Sequence, residues 1–314
     1  MYHYSYIKVF APATVANVAS GFDVLGFALE KPGDTVELTV KQEKRVRIVK
    51  ITGDKGVLPF DTKKNTAAVA VEAFLKSINY PFGIDIVLHK QMPLSSGLGS
   101  SAASSVAAVF GANILADDPL KKNELLDFTM QAEKAACGAA HGDNTAPSLL
   151  GGFVLIRSYK PLDVIKLPVP EGLSCVVAHP HTEVNTGDAR KILKKEVSLS
   201  KAISQWGNLA ALVAALYEND LSLLGRSLMD VIVEPVRSLL IPGFNRVKAA
   251  ALETGALGCS ISGSGPSVFA LCANMNSAQK VGSAMEESFK EAGLECDLYV
   301  SMVNKKGPLL LEKK

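Results

Sequence analysis

The segment from residue 93 to residue 103 has the residue types and spacing of an anion-binding loop. It places two glycines and four serines between a predicted strand and a predicted helix, in the order Pro93-Leu94-Ser95-Ser96-Gly97-Leu98-Gly99-Ser100-Ser101-Ala102-Ala103. Glycine lets backbone N–H groups face inward without a Cβ in the way. A helix N-terminus adds unpaired donors and a partial positive charge. The segment therefore predicts a cradle for an anion, most commonly phosphate.

Two known phosphate-binding loops can be compared with this segment. The Walker loop needs a lysine followed by serine or threonine, and no lysine follows Gly99, so that loop is excluded. The spacing Gly97-x-Gly99-x-x-Ala102 fits a dinucleotide-binding loop. That alternative is disfavoured because Pro93 precedes the glycines and no distinctive acidic residue follows about twenty positions later. A plain tight turn is the other alternative, although the density of donors is high for a turn.

Composition limits the classes to which the protein can belong. The chain has 314 residues, 48% of them hydrophobic and 20% charged, which suits two domains with full cores. Its net charge of +2 gives no broad attraction to nucleic acid, and the basic stretch 41–50 is typical of a solvated strand face. Five scattered cysteines favour reduced thiols. With no signal peptide or bilayer-length apolar stretch, we expect a soluble cytoplasmic protein without nucleic-acid or membrane partners.

The elements that must position the loop mix strands and helices without strict alternation, which favours an α+β fold. We predict strands at 7–10, 35–40, 84–88, 152–156, 174–178, 267–271 and 298–302. We predict helices at 67–75, from the loop to 116, and at 123–136, 203–217, 221–233 and 278–292. Asn65 or Thr66 can cap the first of these helices. The proline-rich stretch 161–170 predicts a boundary between domains 1–165 and 166–314.

Two more clusters of small and polar residues lie far from the loop in sequence. One is Ala11-Pro12-Ala13-Thr14-x-Ala16-Asn17 with Gly21-Phe22-Asp23, and the other is Gly258-Cys259-Ser260-Ile261-Ser262-Gly263-Ser264-Gly265-Pro266-Ser267. Each alone fits a turn or a bend, but all three together with the turn at Asp143-Asn144 are hard to explain by packing. In this order they resemble the three motifs of the GHMP kinases, which phosphorylate galactose, homoserine, mevalonate and phosphomevalonate.

Details of these motifs resemble the homoserine-specific branch of the family. They are Gly21-Phe22-Asp23-Val24-Leu25-Gly26, His141-Gly142-Asp143-Asn144-x-Ala146-Pro147-Ser148 and Thr186-x-x-x-Arg190. One departure is Ala19-Ser20, where that branch usually has Gly-Pro. The resemblance implies an N-terminal domain like domain 2 of ribosomal protein S5 and a ferredoxin-like C-terminal domain. It also implies an ATP- and Mg²⁺-dependent kinase that phosphorylates the hydroxyl of L-homoserine, a step towards threonine, and forms a homodimer.

The resemblance also assigns roles to individual residues. The loop from 93 to 103 would hold the ATP phosphates, Ser101 and Glu133 would hold Mg²⁺, and Asn65 and Lys90 would lie on the adenine and ribose side. An acceptor carboxylate calls for arginine, because a planar guanidinium binds it with two hydrogen bonds. The candidate acceptor-binding residues are Asn17, Asp23 for the α-ammonium, His141, Asn144, Thr186, Arg190, Arg237 and Gly263.

Three alternatives stay open at this point. Other GHMP kinases use an aspartate base, which favours Asp143, whereas the homoserine branch is thought to need no strong base, with Asn144 orienting the hydroxyl. The acceptor could instead be a mevalonate-type alcohol. The chain could also be a catalytically silent ligand sensor on the same scaffold.

Overall fold

The strands form two sheets in the computed structural model, which describes residues 4–138 and 142–314. Seven strands belong to the first sheet and four to the second in this part of the chain. Their bounds are β1 Tyr6–Ala16, β2 Leu25–Lys41, β3 Val46–Thr52, β4 Gly83–His89, β5 Phe153–Tyr159, β6 Leu162–Leu167, β7 Ser174–Pro180, β8 Gly258–Ile261, β9 Val268–Cys272, β10 Cys296–Met302 and β11 Leu309–Lys313.

The first sheet has the order β11-β1-β2-β4-β3, and a hairpin of β5 and β6 joins it through β2. β3 and β4 are parallel, whereas the other pairs in this sheet are antiparallel. The second sheet is antiparallel throughout, in the order β10-β7-β9-β8. β1 ends at Ala16, directly before Asn17, and β4 ends at His89, shortly before the loop from 93 to 103.

Helices cover these sheets and connect them. The bounds are α1 Thr66–Ser77, α2 Ser100–Leu115, α3 Leu126–Cys137, α4 Gly142–Leu150, α5 Thr186–Lys191, α6 Leu199–Glu218, α7 Leu221–Ser227, α8 Glu234–Arg237, α9 Phe244–Glu253 and α10 Met275–Glu291, with 3₁₀ turns at Lys122–Leu125 and Ser238–Leu240. Within the described residues, no helix is both long and apolar enough to cross a lipid bilayer.

The small side chains of α2 let this helix lie deep in the protein, between α1 and strands β1 and β2. At Gly111 a Cβ would lie 2.9 Å from a methyl carbon of Leu38 in β2, so the missing side chain lets α2 approach the sheet closely. Phe27 then links the two halves of the protein, with ring centroids 4.7 Å from Phe153 and 6.1 Å from Phe269. A continuous apolar core therefore holds α2, and the loop before it, in place.

The structure departs from the predicted elements in several places. The helix predicted at 221–233 is wrong beyond Ser227, because the Asp230 carboxylate accepts hydrogen bonds from three following backbone N–H groups and interrupts it. The turn predicted at Asp143-Asn144 lies instead in the first turn of helix α4. The strand β11 was not predicted, and it pairs with β1. The domain boundary at 165/166 stays a prediction. Strand β6 crosses it, and β11, from the C-terminal part of the chain, pairs with β1 in the first sheet.

Candidate active site

The loop between β4 and α2 presents hydrogen-bond donors to a cavity of about 670 Å³. α2 begins at Ser100, and its N-cap residue, Gly99, has a φ of 68° and offers no side-chain cap. The first N–H groups of the helix are therefore not satisfied by a capping side chain. The hydroxyl of Ser96 is buried and makes no hydrogen bond to any described residue. These donors, together with the helix dipole, suit a bound anion.

The other two polar clusters contact this loop directly. The backbone N–H of Thr14 donates to the Leu98 carbonyl at 3.0 Å. From the opposite side, the Ser262 hydroxyl donates to the Gly97 carbonyl at 2.7 Å. Because Gly97 has a φ of 80° and a Cβ there would lie 2.3 Å from the Ser262 carbonyl oxygen, glycine is required at this contact. Three segments that are remote in sequence thus meet at one wall of the cavity.

A left-handed turn follows β1 and carries Asn17 into the cavity. Asn17, Val18 and Ala19 have φ values of 71°, 43° and 58°, a conformation that costs energy for residues other than glycine. The Asn17 side chain fixes the turn, since its Nδ2 donates to the Gly263 carbonyl at 2.7 Å. Ala19 therefore adopts the left-handed conformation, although it stands where the motif that this chain resembles usually has glycine.

Asn144 lies in the first turn of α4, beside the start of α2. Its Oδ1 accepts a hydrogen bond from the Thr14 hydroxyl at 2.8 Å, which fixes the orientation of the amide. A Cβ on Gly99 would lie 2.2 Å from the Thr14 hydroxyl oxygen and 2.8 Å from Asn144 Oδ1, so the three residues are packed closely. The neighbouring Asp143 is buried, with only 3% exposure, and lines the same cavity.

Opposite charges meet at the end of the cavity away from α2. Arg190, in the last turn of α5, holds both carboxylate oxygens of Asp23 at 2.7 Å through one guanidinium nitrogen. The backbone of Asp23 is also fixed, because its N–H donates to Asn17 Oδ1 at 3.0 Å. One anionic and one cationic group therefore lie side by side where the acceptor was predicted to bind.

A second guanidinium, that of Arg237, is buried beside this pair, with 4% exposure. Its Nη1 donates to the Gly263 carbonyl at 3.0 Å, and its Nε donates to the Ala189 carbonyl at 3.1 Å. Burial, and then the charge of Arg190, lower the pKa of Arg237. The centroid of the Phe22 ring lies 5.1 Å from Arg237 Cζ and 5.5 Å from Arg190 Cζ, so one aromatic ring stabilises both cations.

Comparison with known proteins agrees with this arrangement. The family models for the N-terminal domain and the C-terminal part of GHMP kinases match residues 65–152 and 212–291. A homoserine kinase from Chlorobium phaeobacteroides is 51% identical over 317 residues, which cover 97% of this chain and 99% of that protein. The chain belongs to the GHMP kinase family, in its homoserine kinase branch.

Solved structures confirm the predicted two-domain α+β fold of this GHMP kinase. The crystal structure of a homoserine kinase from Cytophaga hutchinsonii has a TM-score of 0.97 and 56% identity, and the match covers 99% of both chains. A mevalonate kinase from L. major has a TM-score of 0.70 at 16% identity, over 94% of this chain and 96% of its own, and shows the shared fold alone.

Two residues predicted on the nucleotide side of this kinase form hydrogen bonds with other residues of the protein. The ammonium of Lys90 is buried, where it pairs with Asp34 and donates to the Ser100 carbonyl at 2.9 Å and the Ser104 hydroxyl at 2.6 Å. Its ammonium therefore supports the first turn of α2, and its contact with a nucleotide stays a prediction. Asn65 caps α1 by accepting from Ala67 N–H at 3.1 Å, as predicted for that helix. Its contact with adenine stays a prediction.

The candidate metal ligands lie next to each other. The Ser101 hydroxyl donates to Glu133 Oε1 at 2.6 Å, and Glu133 is only 3% exposed. Within the described ranges, no group of three or more His, Cys, Asp or Glu side chains could hold a metal ion. Mg²⁺ is commonly held by one or two carboxylates, with phosphate and water oxygens completing its shell. One carboxylate and one hydroxyl beside the phosphate loop fit that requirement.

The cavity brings most of the predicted residues together. Those that line it are Asn17, Asp23, Asn65, Lys90, Leu94, Ser95, Ser96, Gly97, Gly99, Ser100, Ser101, Ala102, Glu133, Asp143, Asn144, Thr186, Arg190, Arg237 and Gly263. Pro93 is not among the lining residues, and Leu98 and Ala103 are fully buried in the core instead. His141 lies outside the described residues.

An apolar wall of the cavity, at residues 57–59, was not predicted from the sequence. Val57, Leu58 and Pro59 line the cavity near Asn65, and Val57 is 70% exposed. An exposed apolar loop next to a phosphate cradle suits the flat face of a nucleotide base. The available signal was a run of apolar residues within an otherwise polar connection between β3 and α1.

Proposed function

We propose that this kinase transfers the γ-phosphoryl group of ATP to the side-chain hydroxyl of L-homoserine. The observation that carries the proposal is the cluster of Asp23, Arg190 and Arg237 in the same cavity as the phosphate loop. An α-amino acid has both charges that this cluster complements: its carboxylate suits the arginines, and its ammonium suits Asp23. When the acceptor enters, it would exchange the present Asp23–Arg190 ion pair for contacts with its own charged groups.

ATP would bind with its phosphates against the first turn of α2. In phosphoryl transfer the protein contributes mainly positioning and charge neutralisation. The loop lacks the Walker lysine, and Lys90 is used inside the protein, so backbone donors and Ser96 would carry the contacts with the phosphates. Ser101 and Glu133 would hold Mg²⁺, which would neutralise charge on the β- and γ-phosphate oxygens.

Asn144 would orient the acceptor hydroxyl, which attacks the γ-phosphorus as ADP leaves. Its amide cannot act as a strong base, so we propose that the hydroxyl proton passes to a γ-phosphate oxygen. Asp143 is the alternative base. Asp143→Asn and Asn144→Ala separate the two mechanisms. If the reaction needs no base, kcat falls more in Asn144→Ala than in Asp143→Asn. A kcat abolished by Asp143→Asn, with Asn144 dispensable, would assign the base to Asp143.

Asp23→Asn tests the choice of acceptor. Loss of a charge-assisted contact with the ammonium costs about 1.5–3 kcal/mol, so we expect kcat/KM for L-homoserine to fall about 10- to 150-fold. Asp163→Asn is a matched control, because it removes the partner of the surface Arg157 away from the site. Unchanged homoserine turnover in Asp23→Asn would refute the assigned pocket and favour an acceptor without an amine, such as mevalonate.

We also propose that the protein forms a homodimer through α6. Four of its side chains, Leu199, Ile203, Trp206 and Tyr217, are each more than half exposed, and their spacing places them on one helix face. Ala210 lies on the same face. In an antiparallel pair of α6 helices, each Trp206 would pack over Ala210 of the second copy. Sedimentation tests this: we expect a dimer that Trp206→Lys converts to monomer, and a monomeric wild type would refute it.

We propose a cytoplasmic location, which the cysteines support. Cys175, Cys259, Cys272 and Cys296 are free thiols, and burial raises the pKa of each. Disulfides are rare in the reducing cytoplasm. Titration of the purified, denatured protein with a thiol reagent should find five free thiols, and a smaller number would count against this location.

A further inference from the structure

The side chain of Tyr159 connects two parts of the proposed acceptor site that are far apart in sequence. Tyr159 ends β5, and its Oη donates to the backbone carbonyl of Asp23 at 2.6 Å. The ring of Tyr159 also packs against Gly142, which begins α4. The Tyr159 side chain therefore connects the turn at Asp23 with the first turn of α4, which carries Asn144.

The ring of Tyr159 lies against the start of α4. A Cβ on Gly142 would lie 3.1 Å from Tyr159 Cε1 and 2.5 Å from Ile156 Cδ1, so α4 begins in direct contact with β5. Burial, followed by the negative charges of Asp143 and Asp23, raises the pKa of Tyr159. The phenol therefore stays protonated at neutral pH and keeps its donor role.

Asp23 depends on this support because its backbone is in an unfavourable conformation. Its φ is 61°, in the left-handed region that non-glycine residues seldom adopt. Asn17 holds the N–H of Asp23 at 3.0 Å, and Tyr159 holds its carbonyl. These two hydrogen bonds fix the direction in which the carboxylate points into the cavity.

We propose that Tyr159 is a positioning residue that sets the place of the Asp23 carboxylate relative to Asn144. It touches neither substrate and acts through the backbones of its two partners. This inference rests on the proposed function, because the carboxylate it positions is the one that would bind the acceptor ammonium. A small displacement of a binding group is sufficient to lower substrate affinity strongly.

Tyr159→Phe is the test, since it removes only the hydroxyl. We expect the KM for L-homoserine to rise about tenfold, which corresponds to about 1.4 kcal/mol, while the KM for ATP changes less than twofold. In an Asp23→Ala background, the same substitution should change the homoserine KM less than twofold. Tyr80→Phe is the matched control, because it removes a tyrosine hydroxyl bonded to the Leu115 carbonyl away from the cavity.

Three outcomes would overturn the inference. They are an unchanged homoserine KM, equal increases in both KM values, and a tenfold increase that persists without the Asp23 carboxylate. A role in folding alone would lower stability without separating the two substrates. If the wild-type protein does not use L-homoserine at all, the proposed function fails, and this result is distinct from a failure of Tyr159→Phe alone.

Discussion

Gly99→Ala is the substitution for which the structure gives the sharpest expectation. The new Cβ would lie 2.2 Å from the Thr14 hydroxyl oxygen and 2.8 Å from Asn144 Oδ1. Reaching ordinary contact distance requires a shift on the order of 1 Å in the pair that orients Asn144, and a misplacement of this size can cost about 100-fold in rate. The left-handed φ of 68° adds about 1–2 kcal/mol of strain for alanine.

The assay is ADP release with ATP and L-homoserine, together with thermal unfolding of each variant. Gly293→Ala is the matched control, since Gly293 has a φ of 80° but no atom within 4 Å of its new Cβ. Both variants should lose similar stability from backbone strain, and only Gly99→Ala should lose about 100-fold in kcat. Equal kcat values in the two variants would refute the packing of Gly99, Thr14 and Asn144 as a determinant of catalysis.

Three further predictions concern Thr14, Glu133 and His179. Thr14→Val removes the hydroxyl that holds Asn144 Oδ1 and keeps the side-chain volume, so kcat should fall about tenfold with little change in the KM for ATP. Glu133→Gln should raise the Mg²⁺ concentration needed for half-maximal activity about tenfold, whereas an unchanged Mg²⁺ requirement would remove Glu133 from the metal site. Burial lowers the pKa of His179, which bonds to the Ser267 hydroxyl. Below about pH 6.5, the unfolded state therefore binds a proton at His179 more readily than the folded state does. The stability of the protein should decline as the pH falls below this value. The decline in melting temperature between pH 7.5 and 5.5 should be smaller in His179→Gln.

The local signals in the sequence were sufficient for the loop and most elements. Glycines and serines before an alanine-rich segment predicted the loop and α2, and Asn65 was one of the two residues predicted to cap α1. These features depend on neighbouring residues, so they can be recognised from the sequence. The early end of α7 is also a local feature that the prediction overlooked, because the Asp230 carboxylate accepts hydrogen bonds from residues two to four positions later.

The remaining gaps concern contacts between distant segments. The sequence did not indicate that Asp34, more than fifty positions away, pairs with the ammonium of Lys90 inside the protein. Tyr159 gave no signal in the sequence, because its importance comes from the backbone groups of Asp23 and Gly142 that the fold places around it. The pairing of β11 with β1 is likewise a contact between the two ends of the chain.

The most direct test of the account is an acceptor comparison with the wild-type protein. ADP release from Mg²⁺ and ATP is measured with no acceptor, with L-homoserine and with mevalonate, and the product is identified. The account predicts strong stimulation by L-homoserine and formation of O-phospho-L-homoserine, with no stimulation by mevalonate. Absence of homoserine-stimulated ADP release would contradict the account and favour a silent sensor, and preferential turnover of mevalonate would assign the cavity to a different acceptor.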